Sequence, residues 1–134
     1  MVKQISVFIE NRHGSISEVL KTLADNNINI DALSVADTTE FGVVRMIVSE
    51  PELAQKVLSE DGVIVRVCNI TAVAVADEPG ALMETFRILG DNNIAIEYMY
   101  AFGEKMDDCS VVAIRTDNQE LEAECLKEGG VKVL

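Results

Sequence analysis

Residues 14–30 read GSISEVLKTLADNNINI and residues 80–96 read GALMETFRILGDNNIAI, and the two align without a gap at an offset of 66. The glycine, the glutamate, the leucine before the last turn, the Asp-Asn-Asn-Ile run and the final isoleucine recur in step. Shared hydrophobic patterning alone does not produce identities at those polar positions, so the chain contains a duplicated module. The period exceeds the roughly 20 to 50 residues of stacking repeats, which makes each copy a small domain with its own core. The 134 residues therefore divide into two modules, residues 1–68 and 69–134. Domains of that size bury a modest fraction of their surface and gain from packing together.

Outward from the repeat, the hydrophobic period changes in a fixed order. Lys3 to Glu10 alternates through Ile5, Val7 and Ile9, which is strand periodicity, whereas Ile16, Val19, Leu20 and Leu23 fall at helical spacing. Ser15 with Glu18 three residues on has the form of a capping box, and the helix should stop at Asp25, Asn26 or Asn27 because asparagine tolerates the left-handed conformation. Strands are expected at Ile28 to Ala36 and Val43 to Val48 around a polar turn at Thr38 to Gly42. A helix opens at Ser49 to Glu52, and a strand follows at Val63 to Val67. Copy two repeats the order, with strands at Thr71 to Val75, Ile94 to Phe102, Ser110 to Arg115 and Val131 to Leu134, and helices from Gly80 or Ala81 to about Asp91 and from Asp117 to Lys127. Its hairpin at Gly103 to Asp108 is two residues longer, an insertion that a loop absorbs at little cost. The order β-α-β-β-α-β predicts an α+β fold of two ferredoxin-like modules, each a four-stranded antiparallel sheet with two helices on one face. The uncovered sheet faces must be buried or joined in some way, by edge-to-edge or face-to-face packing.

Composition narrows the function classes. Nearly half the residues are apolar and only 4% aromatic, so the core rests on Val, Ile, Leu, Ala and Met. The net charge of −12 divides into −4 for residues 1–69 and −8 for residues 70–134. Nucleic-acid affinity depends largely on Lys and Arg displacing counterions, so DNA, RNA and anionic membranes are poor partners for such a surface. Cys68, Cys109 and Cys125 are odd in number, lack close pairing and lie in apolar stretches, so they read as small buried hydrophobes in a reducing compartment, with a disulfide left open by spacing alone. No apolar run has signal-peptide or membrane-spanning length, and a cytoplasmic location is expected.

The turn after the first strand of each copy is where binding chemistry fits. It reads Asn11-Arg12-His13-Gly14-Ser15-Ile16 in copy one and Asp77-Glu78-Pro79-Gly80-Ala81-Leu82 in copy two. A glycine there lets a ligand approach the backbone, and the N–H groups that open a helix attract a carboxylate. Asp77 or Asn11 accepts hydrogen bonds from an ammonium group nearby, so one turn accommodates both poles of an amino-acid zwitterion. A plain tight turn would show the same glycine; its recurrence in both copies favours binding.

At this turn and helix the chain resembles the ACT domain, a small-molecule regulatory module of amino-acid metabolism, with Asp77 to Leu82 and Asp91 to Ile96 carrying the likeness. Copy one is similar, with Asn11 in the acidic position and His13 where proline is usual. The resemblance implies ligand sites at interfaces between two such modules. It assigns Asn11, His13, Gly14, Ser15, Ile16, Asp77, Pro79, Gly80, Ala81 and Leu82 to the turns, and Asn29, Ile30, Asp31, Ala95, Ile96 and Glu97 to the facing strand starts. No cofactor, metal or catalytic residue is implied. An amino acid or similar metabolite, a second copy of the chain as a homodimer, and an enzyme regulated in trans are the expected partners.

Other residues take simpler readings. His13, the only histidine, reads as an exposed loop residue, and Ser15 as a helix cap rather than a nucleophile, since no distant histidine exists to activate it. Glu120, Glu122 and Glu124 read as the wet side of a helix. Tyr98, Met99 and Tyr100 sit on a strand with one face in the core and the other free to line a pocket or an interface. An acyl-phosphate hydrolase on this fold would use Arg12, but copy two has Glu78 there. A module serving assembly alone is the other alternative.

Overall fold

Alternation along Val2–Glu10 (β1) puts Ile5 and Val7 on one face, where both are fully buried. The computed structural model, which describes residues 1–37 and 41–134, continues with helix α1 (Ser15–Asp25), strands β2 (Ile30–Asp37) and β3 (Phe41–Val48), helix α2 (Pro51–Glu60) and strand β4 (Ile64–Ala76). Helix α3 (Ala81–Asp91), strands β5 (Ile96–Ala101) and β6 (Cys109–Thr116), helix α4 (Gln119–Glu128) and strand β7 (Lys132–Val133) complete the described elements. The expected turn at Thr38 to Gly42 falls largely on residues 38–40, outside the described residues.

The chain divides into two compact units, Lys3–Asn69 and Ile70–Leu134 together with Met1–Val2, called the first and second modules below. In place of two strands parted at Cys68 and Asn69, β4 runs unbroken through both residues. Val65, Ile70, Thr71 and Val73 along it are all buried, and a β-branched run with that burial favours extended backbone throughout.

The first module orders its strands β2-β3-β1-β4. β1 pairs antiparallel with β3 from Ile5 opposite Met46 to Glu10 opposite Phe41. Val19 and Leu23 of α1 and Ala54 and Leu58 of α2 join Ile5, Val7, Val44 and Met46 in one core, so both helices cover the same sheet face. The second module orders β5-β6-β4, with β7 beside β4. Its core gathers Val73, Val75, Leu89, Val112, Ile114 and Leu126. This is the predicted β-α-β-β-α-β architecture, present twice.

Two details follow from the repeated motif. Asn27 and Asn93 close α1 and α3 at φ 57° and 58°, the left-handed exit expected of asparagine. The strands after them start two residues later than their apolar pattern suggests. The reason is local: Asn29 donates its N–H to Ser49 Oγ at 2.9 Å and accepts from the Ser49 N–H, while Ala95 donates to Asp117 Oδ1 at 3.1 Å and accepts from the Asp117 N–H.

Candidate functional site

Both strand-to-helix turns have the same backbone. Gly14 and Gly80 sit at φ 85° and 86°, a conformation that costs an L-residue about 1–2 kcal/mol, and each is the cap position of its helix. No neighbouring heavy atom lies within 4 Å of where a Cβ would be on either glycine, so open space lies over the bend. Glu84 N–H donates to the Gly80 carbonyl at 3.0 Å, which leaves the amides of Leu82 and Met83 at the head of α3 with no carbonyl behind them. Unpartnered amides and the helix dipole make that point attractive to a carboxylate.

In the second module the turn borders a cavity of about 380 Å³. Asp77, Pro79 and Leu82, three residues expected at the site, line it together with Met99 and Ala101 of β5 and Ser110 and Val112 of β6. Asp77 Oδ2 accepts a hydrogen bond from Lys105 Nζ of the longer hairpin, so a cation already rests on this carboxylate. Met99 is the residue of the Tyr98–Tyr100 stretch that lines the pocket, while Tyr100 on the opposite face is 8% exposed. Ala101 and Ser110 had no signal of their own; the β4–β6 and β5–β6 register alone brings them to the turn.

The strand starts lie elsewhere. Ala76 pairs with Cys109 and Ala101 with Val112 at the turn end of the sheet, whereas Ile96 pairs with Thr116 at the other end. Five residues of strand, about 17 Å, separate Ile96 from Ala101. The same holds in the first module, where Ile30 pairs with Val48 and Glu10 with Phe41. Within one module, then, Asn29, Ile30 and Asp31, or Ala95, Ile96 and Glu97, cannot face their own turn. What they share is a bulge: the register slips between Ile30 and Ala32 and again between Ile96 and Tyr98, setting Asp31 and Glu97 out of the ladder at equivalent points. Both are exposed, and Glu97 lies 3.9 Å from the Arg115 guanidinium. Bulges re-aim side chains and concentrate beside functional sites.

The first module's turn differs. Asn11 and His13 are exposed, and Ile16 packs on the core rather than outward. Ser15 is not the cap: it is the first helical residue after Gly14, is 6% exposed, and its buried hydroxyl has no hydrogen-bond partner. Once glycine takes the cap position, the serine side chain one residue later is carried inward by the helix. The Arg12 guanidinium donates to Glu18 Oε2 at 2.9 Å and lies 3.6 Å from Glu10, contacts that hold its pKa above the ordinary value.

A second departure concerns Glu122, which is fully buried rather than on the wet side of α4. Its Oε2 accepts from Thr116 Oγ1 at 3.0 Å, while its Oε1 and the Thr71 hydroxyl lack partners of good geometry. Burial raises its pKa to about 7, against weaker lowering by Thr116, Thr71 and the Arg115 charge. At the corresponding points of the first module stand Ile5, Val48 and Ala54, all apolar and buried. Among the described residues no group of His, Cys, Asp and Glu is arranged to hold a metal ion, and no helix is long and apolar enough to cross a membrane. The cysteines are free, and only Cys125 is buried.

Two split β-α-β modules with twin glycine turns define a tandem ferredoxin-like protein. More particularly, the chain belongs to the ACT domain pair family, whose sequence model matches residues 1–132. In structure it is similar to protein BT0572 from Bacteroides thetaiotaomicron, at 37% identity and a TM-score of 0.91 over 99% of this chain and 91% of that one. The fold is shared at 15% identity and a TM-score of 0.67 with the ligand-free regulatory subunit of aspartate kinase from Thermus thermophilus, over 95% and 91% of the two chains. It is shared again with that subunit from Thermus flavus, at 15% identity and a TM-score of 0.58 over 96% and 92%. Comparison with curated protein sequences finds no match.

Proposed function

We propose that this ACT domain pair is a regulatory protein that binds an amino acid at the Asp77–Leu82 turn and signals occupancy through association. The observation that carries the proposal is the turn of the second module. A left-handed glycine exposes the head of α3 next to a carboxylate that already holds an ammonium group, above a cavity of about 380 Å³. That volume is within the range of ligand pockets, roughly 300 to 1,000 Å³. A ligand carboxylate meets the amides of Leu82 and Met83, its ammonium exchanges with Lys105 on Asp77, and its side chain rests on Met99, Leu82 and Ala101.

The turn forms one wall. Because each strand start lies at the far end of its own sheet, the bulged residues Asp31 and Glu97 and their neighbours serve as the other wall only for a turn on a second copy of the chain. The equivalent turn of the first module, Asn11 to Ile16, is a second candidate of different selectivity, since it lacks the carboxylate and the proline. Association with a second copy is supported by β2, which ends its strand order with Leu33 44% and Val35 49% exposed.

An acyl-phosphate hydrolase is less well supported, because Arg12 is already engaged by Glu18 and Glu10. Thermal unfolding in the presence of each amino acid tests the proposal. A ligand at 100 times its dissociation constant adds about 2.7 kcal/mol of stability. Asp77→Asn should weaken that gain, and absence of a shift with every amino acid would leave the assembly role as the better account.

A further inference from the structure

We propose that the first module carries a separate small-molecule site, in the groove between α1 and α2, built for a compact organic cation with an aliphatic body. The groove holds about 550 Å³ and does not depend on the Asp77–Leu82 site; its Ser15 end adjoins the first module's own turn. Its floor is apolar, with Val19 and Leu58 both nearly or fully buried. Ser15 stands at one end and Thr22 with Asp61 at the other. Ser15, Val19 and Thr22 share one stripe of α1, and seven residues of helix rise about 10 Å, the length of a short aliphatic chain with a polar group at each end.

The Ser15 hydroxyl points to a ligand. A buried hydroxyl without a partner costs about 1–3 kcal/mol and is rare enough in folded proteins to require a cause. The rim supplies the sign of the charge. Arg12 is shared between Glu18 and Glu10, which leaves one carboxylate in excess, and Lys21 is paired with Asp25 at 2.6 Å. Asp61 accepts from Thr22 Oγ1 at 2.7 Å, and no cation pairs with it among the described residues. It also caps the C-terminal end of α2, where the helix dipole is negative. An ammonium group is therefore favoured at the Asp61 end, with a hydrogen-bonding group reaching Ser15.

The second module carries different residues at these points. Ala81, Ile88 and Gly129 replace Ser15, Thr22 and Asp61. Ile88 Cδ1 lies only 2.6 Å from where a Cβ on Gly129 would be, so the isoleucine fills the space that the acidic side chain would need. In the second module Ile88 thus occupies the place that the Asp61 side chain takes in the first.

The test is amide chemical-shift mapping on the full chain with butylamine and 1,4-diaminobutane, using 1-butanol and butyrate as controls. Amines should shift Ser15, Val19 and Asp61 saturably while butyrate leaves them unmoved. Ser15→Ala should raise the stability of the free protein and weaken the diamine about tenfold, the worth of one hydrogen bond to a charged group. The double variant Thr22→Ile/Asp61→Gly, which installs the residues of the second module, should abolish the shifts, and Gly80→Val should leave them unchanged. Equal response to butyrate, no saturable shift with either amine, or full binding in Ser15→Ala or in the double variant would each overturn the proposal.

Discussion

Glutamine in place of Glu122 separates ionisation from packing at the one fully buried carboxyl among the described residues. The acid moves from an ordinary pKa of 4.5 to about 7 on folding. Each pKa unit corresponds to about 1.36 kcal/mol, so ionising the buried group costs the fold about 3 kcal/mol. The folded state binds the proton more tightly than the unfolded chain, so this stability is fully present below pH 4.5. It declines as pH rises towards 7 and is gone above it. Glu122→Gln keeps the shape and remains neutral. The difference in unfolding free energy between variant and wild type should therefore be small at pH 4.5 and grow in favour of the variant by about 2–3 kcal/mol at pH 8. Urea denaturation from pH 4.5 to 8.5, followed by hydrogen exchange at α4 amides, measures it. Subtracting one protein from the other cancels the remaining carboxylates. A difference that stays flat across that range would refute the argument, because it would mean that Glu122 does not change its proton affinity on folding.

Further outcomes follow from single contacts. Thr116→Val removes the hydroxyl that steadies the Glu122 carboxylate at 3.0 Å, and should move its titration to higher pH, visible in the side-chain carbonyl resonance. Asn118 Oδ1 accepts from the Leu121 N–H at 3.2 Å to cap α4, so Asn118→Ala should cost about 1 kcal/mol in denaturant unfolding. Leu23 and Leu89, each fully buried in its own module, should cost about 2–5 kcal/mol when cut to alanine, measured by urea unfolding. Gly80→Val should leave a folded protein weaker by about 1–2 kcal/mol, since the cost is backbone strain rather than a clash, and should abolish any amino-acid thermal shift.

What local sequence decided is what local physics controls. The 66-residue repeat, the alternation through Ile5, Val7 and Ile9, the helical spacing of Val19 and Leu23, and the asparagine exits at 27 and 93 each follow from period or backbone preference within a few residues. Those signals determine the doubled β-α-β-β-α-β fold and both glycine turns. Tertiary structure decided the rest. Glu122 is buried because α4 is rotated to lay it over Thr71 and Thr116, and three alternating glutamates could not reveal that rotation. Ser15 turned inward once Gly14 took the cap. Strand register carried Ala101 and Ser110 to the Asp77 turn and Ile96 to the opposite end of the sheet. Each outcome depends on which distant residues meet, and a linear pattern records only which neighbours are near in the chain.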